Sequence, residues 1–401
     1  MHIVGSRTMR RALQAVLLRP AEGVSRTLGL SRLRRVLRRP VPRPMPWTGP
    51  PQQAELGAAE WLWLQRACSE RGGRFFSPNL VSNESSYLQP AAELVALPKG
   101  LGYVGVGPEQ TFSYLAMLEP SLAFVLDLRP DNARLHWLYK GLFLAAPSRA
   151  EWLALLLGRP GSAAGADALG ETSPDEIVRS VELLRPSEEA FASAHAKVRQ
   201  HLTAAGCPVS RRDEQRLLAL HRTFARHGLE LRFALHGPSR HGYPTLRSTL
   251  LARSPNGLVG SFLGHEGAYA TVRRLQQQNR VVPIIGDLAG EHALPCVARE
   301  LRRLGLEVGV AYVSNVEQYL FEQRKWRWWI ENLARLPLGR QSLVVRSYLD
   351  QGRRHPLQMP GHRITSVAQL ALPLLERERA RGYDSYWQVA TDLELRPRGR
   401  P

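Results

Sequence analysis

The chain has 401 residues, 44% of them hydrophobic and nine of them tryptophan, a composition that excludes a disordered polymer and allows one large domain or two smaller ones. Its longest apolar runs are of the size of Trp152–Leu157, far short of the roughly 18 residues that mark a membrane span, so a soluble protein is expected. The formal charge of +19 invites a nucleic-acid partner, yet only four of the 54 basic residues are lysine, and residues 1–50 hold eleven arginines against Glu22 alone, so one arm carries more than half of the excess.

That arm, taken as residues 1–52, reads as a basic, partly helical extension that closes in the proline-rich run Pro40–Pro46. Three readings of it stay open: a start without fixed structure, a contact through residues 1–46 with nucleic acid or an anionic surface, and a targeting segment. Residues 53–147 should form the first part of an α/β domain. Within it a helix spans about Ala54–Arg71, with Leu56, Ala59, Trp63, Leu64 and Ala67 near helical spacing. Next comes a polar loop, Phe75–Tyr87, in which Asn79, Ser82, Asn83 and Glu84 form either a lid over a ligand or a set of turn and helix caps.

A short apolar strand then enters Gly105-Val-Gly107-Pro-Glu109-Gln110, a helix of about ten residues follows, and a second strand, Leu122–Leu126, delivers Asp127 at its carboxyl end. Glycines without a Cβ let a ligand approach the backbone, and an acid after the second strand suits two ribose hydroxyls. From Gly105 to Asp127 the offset is 22 residues, close to the roughly 20 expected for such an acid. The third glycine of the dinucleotide pattern is missing, and Glu109 would face a pyrophosphate. The cofactor expected is therefore one without phosphates, S-adenosylmethionine, held by Gly105, Gly107, Glu109, Asp127 and Asn132.

Ala133–Ala146 reads as a returning helix, and residues 148–228 as a helical insertion with helices near 174–184, 188–204 and 212–227. The second part of the domain, residues 229–401, should hold a strand at Leu229–Leu235, a helix at 267–279, strands at Val281–Ile285 and Val308–Val313 with a helix at 293–304 between them, a long helix toward Leu336, and a C-terminal helix. Two more strand ends carry polar groups, Gly286-Asp287 and Ser314-Asn315-Val-Glu317. In an open parallel sheet such ends share one crevice, so Gly105, Asp127, Asp287, Asn315 and Glu317 should line it.

Strand, glycine turn, helix, strand and acid in that order resemble the class I S-adenosylmethionine-dependent methyltransferases. Tyr103-Val-Gly-Val-Gly-Pro-Glu-Gln110, Val282-Pro-Ile-Ile-Gly-Asp287 and Tyr312-Val-Ser-Asn-Val-Glu-Gln-Tyr-Leu-Phe321 more closely resemble an uncharacterised bacterial family with that core, over most of residues 60–350. The resemblance implies a Rossmann-like, methyltransferase-type α/β fold whose mostly parallel sheet is flanked by helices. By position it puts Gly105 and Gly107 against the cofactor backbone, Asp127 on the ribose, and Asp287 on the adenine edge or the acceptor. Two departures stand: Tyr103 occupies the place of the acid that opens the family's glycine motif, and no Asn-Pro-Pro-Tyr sequence is present.

Methyl transfer needs little acid–base machinery beyond positioning. For an oxygen acceptor, Glu317 is the first candidate base and Asp287 the second, with Ser314 and Asn315 orienting the acceptor. The competing reading is a capping box, since Ser314-x-x-Glu317 has that spacing. Loop histidines His236, His241 and His265 lack ligand spacing, and Cys68, Cys207 and Cys296 form no Cys-x-x-Cys pair, so neither a metal site nor a disulfide framework is expected and a reducing cytoplasm fits. A non-catalytic metabolite-binding or scaffold role on the same fold is the alternative. Trp326, Trp328 and Trp329 are read as core or partner-helix packing in preference to base stacking.

Overall fold

Strand β1 (Gly102–Gly105) forms the middle of a six-stranded sheet, flanked by β2 (Leu122–Asp127) and β4 (Val308–Ser314). Outside these lie β3 (Val281–Ile285), then β5 (Leu338–Leu349) and β6 (Ile364–Leu370), giving the order β3-β2-β1-β4-β5-β6. All neighbours run parallel except β5 and β6. The computed structural model describes residues 56–161, 172–233, 243–257 and 260–397. The N-terminal arm, and with it all three readings of that segment including the nucleic-acid or anionic-surface contact, lies outside these residues, as do His236 and His241.

The central strands are buried on both faces, which is why they read as continuous apolar runs such as Leu122-Ala-Phe-Val-Leu126. Chain direction reverses across the sheet between β1 and β4: the path goes from β1 outward to β2 and β3, then crosses back to β4. With right-handed crossovers, helices of the first half and of the second half must cover opposite faces. One layer contains α3 (Thr111–Leu118), α4 (Pro130–Ala145) and α10 (Glu266–Gln277), in mutual contact. The other contains α1 (Ala58–Cys68), α11 (Ala293–Arg303), α12 (Val316–Glu322) and α13 (Trp326–Arg335). Between α4 and α10 the chain forms α5 (Arg149–Leu156), α6 (Pro174–Leu183), α7 (Glu188–Ala204) and α8 (Arg211–His227), which pack on one another and on α4. Ser173 with Glu176, and Ser210 with Asp213, close capping boxes that start α6 and α8. Short α2 (Ala91–Val95) and α9 (Leu246–Leu250) lie in the connecting segments, and α14 (Ala371–Arg381) and α15 (Tyr386–Ala390) close the chain against β5. Among the described residues no helix is long and apolar enough to cross a membrane.

Three expectations are corrected. The described part of the expected strand, Leu229–Phe233, is not a strand: Gly228–Glu230 is a 3-10 turn, and Arg232 makes an isolated bridge to Thr245. Leu229, Leu231 and Phe233 do alternate inward, so the period of two is real, but among the described residues no named strand pairs with it. The long helix toward Leu336 is broken at Arg324, whose φ of 58° ends α12 and lets α13 restart. The region after it yields β5 and β6 before the C-terminal helix α14.

Edge strand β3 has several of its outward backbone groups occupied. The indole of Trp61 donates to the Val281 carbonyl at 2.8 Å, and Pro283 has no N–H to present. Ile285 donates to Ser69 Oγ at 3.0 Å and accepts from the Glu70 amide at 2.9 Å. At the opposite edge, Ser86 donates to the Ile364 carbonyl and the Ser366 amide donates to Gln89 Oε1 at 2.8 Å.

Candidate functional site

The chain direction reverses between β1 and β4, and the carboxyl ends of strands at such a point are the general ligand position of open α/β sheets. Gly107 takes a φ of 96°, and a Cβ there would meet only the Tyr312 ring at 3.8 Å, so its glycine is demanded by backbone conformation. Gly105 has a different reason. A Cβ on it would lie 2.3 Å from the Tyr103 hydroxyl, so the space it leaves is filled by that phenol, which is tied to Thr111 Oγ1 at 2.6 Å. At the start of α3 the amides of Thr111, Phe112 and Ser113 donate to the carbonyls of Pro108, Glu109 and Gln110. A phosphate cradle needs such amides free.

The segment from Ser77 to Pro90 crosses these strand ends as a fixed strap. The Ser82 amide reaches both Glu109 oxygens at 3.2 Å. Glu109 is fully buried beneath the strap, and burial pushes its carboxyl up to about 8. It therefore anchors the loop and does not face the expected crevice. Glu84 is buried as well: the Tyr312 hydroxyl donates to it at 2.7 Å, and Ser314 donates to the same oxygen. Burial raises the Glu84 pKa, opposed by hydrogen bonds from Ser314, Ser347, Tyr312 and Ser366. Asn83 is half-buried, and Asn79 adopts a left-handed φ of 45°. Of the four residues named for a lid, then, Ser82 and Glu84 are the ones that pin it shut.

On the β2 side, both Asp127 oxygens are engaged by Arg129: the backbone amide and Nε approach Oδ1 at 2.7 and 3.1 Å, and Nη2 approaches Oδ2 at 2.7 Å. Arg129 also donates to the Pro78 carbonyl, linking this acid to the strap. Helix α4 begins just beyond, with Pro at its first position and Asp131 in its first turn, both favourable there. Asn132 on this helix is 1% exposed, and neither its Oδ1 nor its Nδ2 has a partner among the described residues. One turn later on the same face, His136 Nε2 lies 2.9 Å from the Gly107 carbonyl. A carbonyl only accepts, so Nε2 carries the proton and Nδ1, also buried and unpartnered, is a bare acceptor. Burial lowers the His136 pKa to about 4, which keeps the ring neutral. His136 was not among the residues singled out from sequence; its spacing of four from Asn132 was the available signal.

The remaining candidates separate. Ser314 ends β4 with a φ of 52°, a strained conformation for serine, and gives its hydroxyl to Glu84. Asn315 precedes α12 without a side-chain cap, and Ser314 and Glu317 bond to Glu84 and Arg346, so the capping box weighed as the competing reading does not form. Glu317 is fully buried, with Arg346 Nε and Nη2 at 2.6 and 3.1 Å and the Trp329 indole at 2.8 Å. Trp326 and Trp329 are buried, while Trp328 is half exposed. Asp287 lies after β3 at the sheet rim, with Lys325 Nζ at 2.9 Å and the Ala289 amide at 2.9 Å. Gly107, Glu84 and Ser314 thus lie at the carboxyl ends of β1 and β4, with Asn132 one turn from the His136 that touches Gly107, whereas Glu317 sits in an internal ion pair and Asp287 belongs to the rim. Hollows lie elsewhere: a cleft of about 630 Å³ beside Lys140, His201 and Arg274, and a groove of about 1900 Å³ past Lys99, Gln341 and Arg377. Among the described residues no group of three or more His, Cys, Asp or Glu side chains is placed to hold a metal ion.

A family model matches residues 79–226 and 234–385, three quarters of the chain. The chain belongs to this family, a domain of unknown function (DUF7790). The matched span begins at Asn79 and contains Glu84, Gly107, Asn132, His136 and Ser314. No curated protein matches the chain.

Proposed function

We propose that this DUF7790 protein binds an adenosine-bearing, unphosphorylated cofactor of the S-adenosylmethionine type at the β1–β4 crevice of a Rossmann-like sheet. The observation that carries the reading is the Asn132–His136 face of α4: a buried amide with both atoms unpartnered and a bare imidazole nitrogen, beside the Gly107 turn. Buried polar groups of this kind call for a partner. A neutral amide and a neutral imidazole suit the mixed donors and acceptors of a nucleoside or an amino-acid moiety. The closed amides at the start of α3 argue against a phosphate. The strand order, with its reversal point beside Gly105, supports the same placement.

Asn132, His136 and the Gly107 backbone would hold the ligand. Asp127 would reach a ribose only by exchanging Arg129 for it. Such a cofactor supplies an activated methyl group when bound, and this chain's residues would position it; the acceptor is unassigned. One observation favours a second reading, binding without turnover. Every carboxylate proposed as a base is already engaged, Glu317 by Arg346 and Asp287 by Lys325.

The test is calorimetric titration and thermal melting with S-adenosylmethionine, S-adenosylhomocysteine and NAD. Saturation at 100 times Kd should stabilise the fold by about 2.7 kcal/mol, with Asn132→Ala weakening binding at least tenfold and NAD giving no shift. Melting that ignores all adenosyl ligands, or a response to NAD alone, sinks the reading. Binding with no methyl transfer to any acceptor selects the second form.

A further inference from the structure

Cys68 and Cys296, 228 positions apart in sequence, meet in the interior with their sulfurs 2.7 Å apart. Both are buried. Cys68 is the last residue of α1, and Cys296 lies in the second turn of α11. Arg299, one turn further along α11, brings its Nη2 to 3.1 Å from the Cys296 sulfur. The Arg299 side chain is 57% exposed, so it reaches this sulfur from solvent. Cys207 is not part of this contact, and burial pushes its thiol up to about 11 against the opposing charge of Lys140.

The two sulfurs are electronically unequal. The hydrogen bond between them lowers the Cys296 pKa and raises that of Cys68, and the Arg299 charge lowers Cys296 further. The Arg299 guanidinium beside the Cys296 sulfur favours negative charge on that sulfur, and the thiolate is the reactive form of a cysteine. Glu300 opposes this with its own charge but is itself bound by Arg299 and Arg303.

We propose that Cys68 and Cys296 are a peroxide-oxidisable dithiol whose disulfide locks α1 to α11. The Cys296 thiolate attacks one oxygen of hydrogen peroxide, forming a sulfenic acid and releasing hydroxide. Cys68 then gives its sulfur to that sulfenic sulfur, the S–OH bond breaks, and the hydroxyl leaves with the Cys68 proton as water. Each cysteine sulfur loses one electron, and the two peroxide oxygens are reduced.

The lock has a mechanical address. Ser69 and Glu70, next to Cys68, hold both backbone groups of Ile285 at the end of β3. Glu70 also receives the amides of Asp287 and Ala293, and Gly73 donates to the Leu128 carbonyl beside Asp127. A covalent link at Cys68 thus fastens the segment that braces the carboxyl ends of β2 and β3.

The test oxidises the full chain with hydrogen peroxide, then alkylates remaining thiols after unfolding and maps peptides without reductant. The expected result is a Cys68–Cys296 cross-linked peptide, reversed by dithiothreitol, with Cys207 alkylated. The Cys68→Ser variant should trap dimedone on Cys296. Backbone amide exchange of residues 69–73 in the wild-type chain should slow at least tenfold on oxidation. Full alkylation of both cysteines after peroxide, a cross-link that uses Cys207, or unchanged exchange in the cross-linked protein would overturn the proposal.

Discussion

Glu317 and Asp287 each face one cation near the carboxyl ends of the strands, yet they stand in opposite surroundings. Glu317 and Arg346 have no exposed side-chain surface, whereas Asp287 and Lys325 are 22% and 33% exposed. In the interior, two desolvated charges depend on each other and on the Trp329 indole. At the rim, water shares the solvation and either charge stands alone at small cost. The same sequence feature, an acid after an apolar strand, therefore becomes a structural pin in one place and an exchangeable surface pair in the other.

The sharpest way to break this contrast is to remove one partner in each region. Glu317→Ala strands Arg346 in the core and should cost about 3–5 kcal/mol in urea unfolding, while replacing both Glu317 and Arg346 by leucine should recover much of that loss. A cost below about 1 kcal/mol for the single variant would refute the buried-pair account. The buried acid Glu109 extends the contrast to pH. Its folded pKa of about 8 lies above the ordinary value of 4.5, so its contribution is full below pH 4.5 and is lost as pH rises through 8. Between pH 5 and 8 the wild type should lose on the order of 3 kcal/mol relative to Glu109→Gln, measured as the difference in unfolding free energy at each pH. His136 acts with the opposite sign: lowered to about 4 from 6.5, it withdraws stability as pH falls from 6.5 toward 4, a slope that His136→Gln should remove. The smallest effect belongs to the rim, where Asp287→Asn should shift stability by no more than about 1 kcal/mol, less in high salt.

Much of the parallel half of the sheet was legible from sequence because its strands bury both faces, so Leu122–Asp127, Val281–Ile285 and Val308–Ser314 carry little but apolar residues inside. β5 and β6 escaped the same reading for a physical reason. Their interior positions include Ser342, Arg346, Ser347, Ser366 and Gln369, all buried, and polar residues in such places look exposed until their partners are known. Arg346 is matched by Glu317 and Gln369 by the carbonyls of Val389 and Asp392. The candidate site shows the same limit. Spacing singled out Gly107, Asp127, Asn132 and Ser314 as candidates, but not that Arg129 two residues on would occupy Asp127, nor that Glu84 and Glu109 would turn inward as anchors. Cys68 and Cys296, which seemed scattered along the chain, meet because α1 and α11 pack side by side.

The blunted margins of the sheet carry a consequence for assembly. At β3 the Trp61 indole, the missing N–H of Pro283, and the Ser69 and Glu70 contacts leave few open ladder groups, and at β6 Ser86 and Gln89 occupy the outer side. A second chain attempting to continue the β-ladder would meet protection of the kind that discourages fibre growth in native proteins. Any self-association or recruitment of another macromolecule by residues 56–397 should accordingly proceed through helical surfaces, leaving the strand count at six.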